Sequence, residues 1–230
     1  EIVSRDWSSD VCSSDLVTGY AVPTFVIGLG LTVSLALLLV LFRGTWLDRT
    51  GVVICVTLMS ISSLFFIIGG QFLFARVLKL VPISGYDGNP WVAWHFLLLP
   101  VAVGVIAGLG GATRWYRTLF LEEIGRDYVR TARAKGLSET RILFVHVLRN
   151  GLIPILTGVV VVIPSLFLGS LLVESFFGIP GLGSYTIDAI AAQDFAVVRA
   201  MVFLGSVLYL IGLILTDISY TLVDPRIRLR

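Results

Sequence analysis

The chain has 230 residues, 57% of them hydrophobic and 14% charged, with a mean hydropathy of +0.95. Soluble domains carry about 25% charged residues, so this composition excludes an ordinary soluble domain and predicts a polytopic membrane protein. The net charge of +2 gives no argument for nucleic acid, and the two cysteines, Cys12 and Cys55, have neither disulfide nor metal spacing.

Near its start the chain carries Arg5 to Leu16, RDWSSDVCSSDL, a serine-rich polar stretch unlike anything after it. It resembles the translation of a sequencing adapter, so residues 1–16 are read as a non-native leader and set apart from residues 17–230. Val17 to Phe42 is the first apolar run, long enough to cross about 30 Å of hydrocarbon. The loop Arg43-Gly-Thr-Trp-Leu-Asp-Arg49 closes it. The second run extends from Val52 to about Leu78. Its Ser60, Ser62 and Ser63 read as helix-packing or backbone-bonded hydroxyls. Val81 to Trp94 is rich in Pro, Gly, Asn-Pro and Asp-Gly and reads as a loop, with Trp91 and Trp94 suited to a membrane interface. His95 follows as an interfacial histidine. Phe96 to Thr113 is the third span, in which Gly104 and Gly108 form a small-xxx-small pair that permits close helix approach. Arg114, Trp115, Tyr116 and Arg117 form an interfacial collar.

Residues 122–154 break the oily pattern. From Arg126 to Arg149 lie Arg126, Arg130, Arg133, Lys135, Arg141, Arg149 and the titratable His146. The spacing predicts two short helices hinged at a glycine. The first, from about Glu122 to Lys135, places Arg126, Arg130 and Arg133 on one face and Tyr128, Val129 and Ala132 on another. Glu122 and Glu123 would complement its N-terminal dipole. Gly136 follows the last turn. Ser138 can cap the second helix, which is expected to run to about Asn150, with Gly151 and Pro154 marking a new start. A segment this charged is not expected to span, since each charge near the bilayer centre costs about 2.5–3.5 kcal/mol. It is either a basic amphipathic loop lying on an anionic leaflet or a docking element for a soluble partner.

Ile155 to Leu172 is the fourth span, with Pro164 expected to kink it. Val173 to Phe195 reads as a structured loop built on Glu174-Ser-Phe-Phe-Gly-Ile-Pro-Gly-Leu-Gly183 and an amphipathic stretch to Asp194. Ala196 to about Thr216 is the last span. Asp217 lies near its end, and Asp224-Pro-Arg-Ile-Arg-Leu-Arg230 forms a basic tail.

The segment Tyr128-Val-Arg-Thr-Ala132-Arg-Ala134-Lys-Gly136-Leu137, with His146-Val-Leu-Arg-Asn150 and Pro154, closely resembles the "EAA" cytoplasmic loop of binding-protein-dependent ABC importers. The variant is similar to that of the dipeptide/oligopeptide permease family, B-type subunit. Three further stretches resemble that family: the Arg43 to Arg49 loop, the E-x-x-F-x-x-P-G-L-G signature from Glu174 to Gly183, and the terminal Asp224-Pro-Arg. The resemblance implies an all-α transmembrane helical bundle, here with about five spans. It implies a coupling helix in which Tyr128, Ala132, Ala134 and Leu137 contact an ATPase subunit, Arg133 and Lys135 form a rim, and Gly136 sets the angle between the arms. His146, Asn150 and Pro154 belong to the second arm. It implies a second permease subunit, two cytoplasmic ATP-binding subunits that hold ATP and Mg, an external solute-binding protein, and alternating access across a bacterial or archaeal inner membrane. It also implies that the chain is a fragment, lacking one more membrane helix and an external segment. Glu174, with Phe177, Pro180, Gly181 and Gly183, is read two ways: as a gate or substrate contact, or as an interfacial carboxylate paired with a cation of a partner subunit.

Lys and Arg counting orients the chain. The Arg43 loop, the Arg114–Arg149 segment and the tail hold 13 of the 17 basic side chains, which predicts that they face the cytoplasm and that the Val81 and Glu174 loops face outside. No G-x-x-x-x-G-K-[ST], H-E-x-x-H, G-x-S-x-G or C-x-x-C is present, so neither a P-loop nor a catalytic or metal motif is predicted in this chain. The alternative of an ion-coupled secondary transporter needs acids facing inward near the midplane, and no Asp, Glu, Lys or Arg falls in the middle of a predicted span.

Overall fold

The computed structural model describes residues 7–82, 90–168 and 170–223. Side chains are described from residue 19, outside 90–94, 164–165, 167–168 and 219–223. Every regular element among these residues is helical. Residues 83–89 of the Val81–Trp94 stretch, the side chains of Trp91, Trp94 and Pro164, and the Asp224–Arg230 tail lie outside what is described; residues 90–94, expected as loop, already belong to a helix.

Helix α1 covers Trp7–Leu41, α2 Trp46–Ser60 and α3 Ser63–Gly70, which continues as a π-helix over Gln71–Val77. Then come α4 (Pro90–Ile124), α5 (Asp127–Ala134) and a single turn, α6 (Glu139–Arg141), which runs through a π-helix at Ile142–Val147 into α7 (Leu148–Leu168). α8 (Leu171–Phe177), α9 (Leu182–Ala191) and α10 (Phe195–Val223) complete the chain. Among the described residues four stretches are long and apolar enough to cross a membrane: Gly19–Leu41, His95–Ile124, Glu139–Ile163 and Phe195–Ile218. The pair Trp46–Ser60 and Ser63–Val77 makes a fifth when counted as one broken span.

Several expected boundaries move. The first helix starts at Trp7, inside the stretch read as leader, because helix growth from a formed turn adds one bond per residue fixed. The second span is interrupted at Ile61, which is extended (φ −88, ψ 133). Ser60 Oγ there donates back to the Val56 carbonyl at 2.8 Å, a bond that loosens the end of a helix. The third span runs on to Ile124 rather than ending at Thr113. The fourth begins at Glu139, because the second arm of the charged segment is continuous with it.

The chain divides into two compact units. The first comprises Glu1–Thr24, Ser63–Val103 and Val159–Arg230. Its core gathers Tyr20 and Ala21 of α1, Ile67, Ala75, Leu99 and Val103, and Phe177 and Ile179. The second comprises Phe25–Ser62 and Gly104–Gly158. Its core joins Ala36, Leu37 and Val40 of α1 to Phe120 and Ile124 of α4, Val129 and Ala132 of α5, and Ile142, Leu143, Val147 and Ile155.

Within the second unit the close helix approach falls at Gly110 rather than at Gly108. A Cβ on Gly110 would sit 2.5 Å from the Cys55 carbonyl oxygen, whereas one on Gly108 meets nothing within 4 Å. The same unit holds a fork-to-fork ion pair. Arg117 Nε and Nη2 donate to the two carboxylate oxygens of Asp48, each at 2.9 Å. Asp48 is 6% exposed, and its Oδ2 also accepts the Gly44 N–H at 3.2 Å. Arg117, expected in an interfacial collar, is thus bonded to Asp48 within the unit.

Candidate functional site

The charged segment folds as an elbow. Glu122 and Glu123 sit at the end of α4, not at the start of a new helix. That position opposes the helix dipole, and local partners offset it: Tyr128 donates its hydroxyl to Glu123 Oε2 at 2.8 Å, and Arg126 pairs with Glu123 Oε1 at 3.1 Å. Gly125 and Arg126 then turn the chain, and α5 is confined to Asp127–Ala134. Its apolar stripe faces inward. Val129 is fully buried and Ala132 is 7% exposed, both within the core of their own unit, and Tyr128 and Leu137 pack against that core. Burial pushes the Tyr128 phenol above its usual range, and Glu123 adds to the rise while a hydrogen bond with Asn150 opposes it.

Tyr128, Ala132 and Leu137 seat the elbow on its own unit, since an amphipathic helix turns its apolar stripe to the nearest core. The exposed face is Arg130, Thr131, Ala134, Lys135 and Gly136. Arg133 is partly covered, because its guanidinium donates to both carboxylate oxygens of Glu139 at 2.6 and 3.0 Å. That fork joins α5 to α6 across the glycine.

The glycine ends α5 as the sequence predicts. Gly136 has φ +75. The Leu137 N–H reaches the Ala132 carbonyl at 3.4 Å and the Gly136 N–H reaches Arg133 at 2.9 Å, the paired bonds of a left-handed helix stop. The Ser138 hydroxyl accepts the Arg141 N–H at 3.4 Å and caps α6. A Cβ at Gly136 meets nothing within 4 Å, so a substitution there acts through the backbone alone. Gly136→Val is expected to cost about 1–2 kcal/mol and to loosen the elbow. In inside-out membranes, tryptic cleavage after Lys135 should be several-fold faster than in the unaltered chain. An unchanged cleavage rate would contradict the role given to Gly136.

The second arm differs from expectation. His146 is half-buried in the π-helix, Asn150 is exposed, and Pro154 lies inside α7, which does not restart there. The single extra residue of a π turn is a feature that spacing rules for α-helices do not detect.

The second candidate group, Glu174 to Gly183, is a helical hairpin in the first unit. Ser170 caps α8, its hydroxyl accepting the Val173 N–H at 3.4 Å. Gly178, with φ +64, stops α8, and the Ile179 N–H returns to the Glu174 carbonyl at 2.9 Å. The Gly181 N–H donates to Ser184 Oγ at 3.0 Å at the start of α9. Glu174 is fully buried. Its Oε1 accepts the Tyr20 hydroxyl at 3.1 Å and the Ser170 N–H at 2.9 Å. Its Oε2 accepts the N–H groups of Gly183 at 2.7 Å and Ser184 at 3.2 Å. Burial pushes the Glu174 carboxyl above the usual carboxylate range, and these four donors pull against it. Phe177 is buried in the core, Gly181 and Gly183 are buried, and Pro180 is exposed. Among the described residues no cation pairs with Glu174. Sequence reasoning singled out Glu174 but missed its partners Tyr20 and Ser170, and it missed the pairing of Asp48 with Arg117.

Comparison with known proteins adds three relatives and a family. Residues 28–229 match the model of the binding-protein-dependent transport system inner membrane component family. The chain is 44% identical over 133 residues to the oligopeptide transport system permease protein AppB of Bacillus subtilis (strain 168), covering 58% of this chain and 42% of that protein. It is 36% identical over 228 residues to the dipeptide transport system permease protein DppB of Haemophilus influenzae, covering 98% of this chain and 63% of that protein. It is 40% identical over 146 residues to the dipeptide transport system permease protein DppB of Escherichia coli (strain K12), covering 64% of this chain and 43% of that protein. The chain therefore spans about half the length of the curated relatives it matches.

Proposed function

This chain belongs to the binding-protein-dependent transport system inner membrane component family, and from that premise we propose that it is the multi-pass permease subunit of an ABC importer for peptides or a related small solute. The reading assigns ATP and Mg to separate cytoplasmic ATPase subunits and substrate capture to an external binding protein. A second permease subunit completes the membrane pathway. This chain then performs no bond chemistry of its own.

The observation that carries the reading is the elbow. An eight-residue helix held by Val129 and Ala132 presents Arg130, Thr131 and Ala134 outward, followed by the exposed Lys135. A groove in a soluble partner would meet a small apolar centre at Ala134 with a cationic rim, which suits a docking contact. A push on α5 reaches Ile142, Leu143 and Val147 through shared packing and reaches α6 through Arg133 and Glu139. Such a lever can bias a two-state membrane assembly between inward-open and outward-open forms. Among the described residues, Asp48, a buried acid of the broken span, is closed off by Arg117, which gives an ion-coupled mechanism no open relay there.

Co-purification tests the proposal. Affinity-tagged chain extracted in mild detergent with its neighbours is expected to bring down a chain that hydrolyses ATP. Recovery of the tagged chain without any ATPase, under conditions that retain a second permease, would remove the proposal.

The orientation has its own test. Asp188 on α9 is exposed, whereas Ser184 is engaged at the start of that helix, so Asp188→Cys is the better probe. With the two native cysteines replaced, it is expected to react with an impermeant thiol reagent in intact cells. Reaction only after lysis would reverse the assigned topology.

A further inference from the structure

A buried carboxylate requires either a countercharge or a full set of donors. Glu174 has the second. Three of its four donors, the N–H groups of Ser170, Gly183 and Ser184, belong to the α8–α9 hairpin itself. Only Tyr20 comes from outside it. The Ser170 N–H is shared, reaching Tyr20 Oη and Glu174 Oε1 each at 2.9 Å. There is no room for a side chain on Gly183, where a Cβ would lie 2.7 Å from Glu174 Oε2 and 2.9 Å from the Leu171 backbone. The hairpin therefore carries its own lock.

The two kinds of bond differ in what their loss leaves behind. If Tyr20 withdraws, Glu174 keeps three N–H donors and no charge is stranded. If Gly183 and Ser184 withdraw, a buried carboxylate loses half its partners, which costs far more than one exchanged hydrogen bond. We infer that the α8–α9 hairpin is a preassembled strap, locked internally through Glu174 and latched to α1 through the Tyr20 hydroxyl, so that loss of that hydroxyl loosens it as a body. Among the described residues a further polar tie runs from Gln71 Nε2 to the Phe176 carbonyl at 2.8 Å. The strap also has an apolar seat, formed by Phe177 and Ile179 against Tyr20, Ala21 and Ile67. Glu174 in this account is a positioning residue rather than a substrate contact. The inference rests on geometry within the first unit and does not require the importer reading.

The experiment uses the full chain in native membranes. Cys12 is replaced by Ser, Cys55 is retained, and Ile179→Cys supplies a probe beneath the strap, where Ile179 is 2% exposed. Labelling by a small thiol reagent is followed at both positions with and without Tyr20→Phe. Loss of a hydrogen bond to a charged group is expected to raise the rate at position 179 roughly 10- to 100-fold. Cys55, 6% exposed in the other unit, serves as the control and is expected to keep its rate. An unchanged rate at 179 overturns the latch. Parallel rises at 179 and Cys55 also overturn it, because they report general loosening. Should Ile179→Cys itself raise Cys55 labelling, Phe177→Cys, 3% exposed, replaces it with the same two outcomes.

Discussion

Asp48→Ala is expected to be among the most damaging single substitutions in the second unit. It leaves the Arg117 guanidinium inside the unit without the one ion-pair partner it has among the described residues, at 22% side-chain exposure. It also removes the acceptor that fixes the Gly44 turn. Breaking one side of a buried pair costs about 3–5 kcal/mol; the partial exposure of Arg117 places the effect toward the lower end. Marginal stabilities of about 5–15 kcal/mol make that loss visible as reduced yield of folded protein and a lowered midpoint in thermal size-exclusion assays. Arg117→Lys should recover only part of the loss, because an ammonium cannot match both carboxylate oxygens. The double variant Asp48→Asn with Arg117→Gln should be more stable than Asp48→Ala alone, since no charge is stranded. If Asp48→Ala keeps the midpoint of the unaltered chain, the pair holds nothing together.

Gly183→Ala is the second large effect. The added methyl would meet Glu174 Oε2 and the backbone of Leu171 at 2.7–2.9 Å. Backbone atoms do not yield as a flexible side chain does, so α9 must shift. Overpacking of this kind costs about 1–3 kcal/mol. The shift also breaks two N–H bonds to a buried carboxylate, at about 1.5–3 kcal/mol for each bond to a charged group. The hairpin should then lose its fold, read as rapid proteolysis between Leu171 and Ala191 while α10 remains protected. Gly108→Ala is the contrast: it meets open space, and alanine gains about 1 kcal/mol over glycine within a helix. Equal stability of Gly183→Ala and Gly108→Ala would mean that the close approach at Gly183 is not a constraint.

The fold was legible where one physical quantity dominates. Long apolar runs declared the spans, and the Lys-Gly order at 135 and 136 declared a helix stop that the φ of +75 bears out. The charged and apolar faces of α5 were also legible: Val129 and Ala132 stand apart from Arg126 and Arg130. What did not follow from the pattern was which body each face meets. The resemblance gave Tyr128, Ala132, Ala134 and Leu137 to a partner; within the chain itself Ala132 lies in the core of its unit with Tyr128 and Leu137 packed against it, while Ala134 is exposed. Partners far apart in sequence were beyond reach. Tyr20 and Glu174 are separated by 154 positions and Asp48 and Arg117 by 69, and no local periodicity links them. The signature from Glu174 to Gly183 was visible as a motif, but its reason appears only once the Gly183 N–H is seen 2.7 Å from the carboxylate.

Site-specific cross-linking tests the docking claim most directly. A photoreactive amino acid is placed at Ala134 or, separately, at Ala132, in the chain co-expressed with its neighbouring transport proteins. The account predicts that position 134, on the exposed face, captures the ATP-hydrolysing subunit, and that position 132, 7% exposed in its own core, captures only this chain. Capture of lipid alone from 134, or of the ATPase from 132 and not from 134, would contradict it.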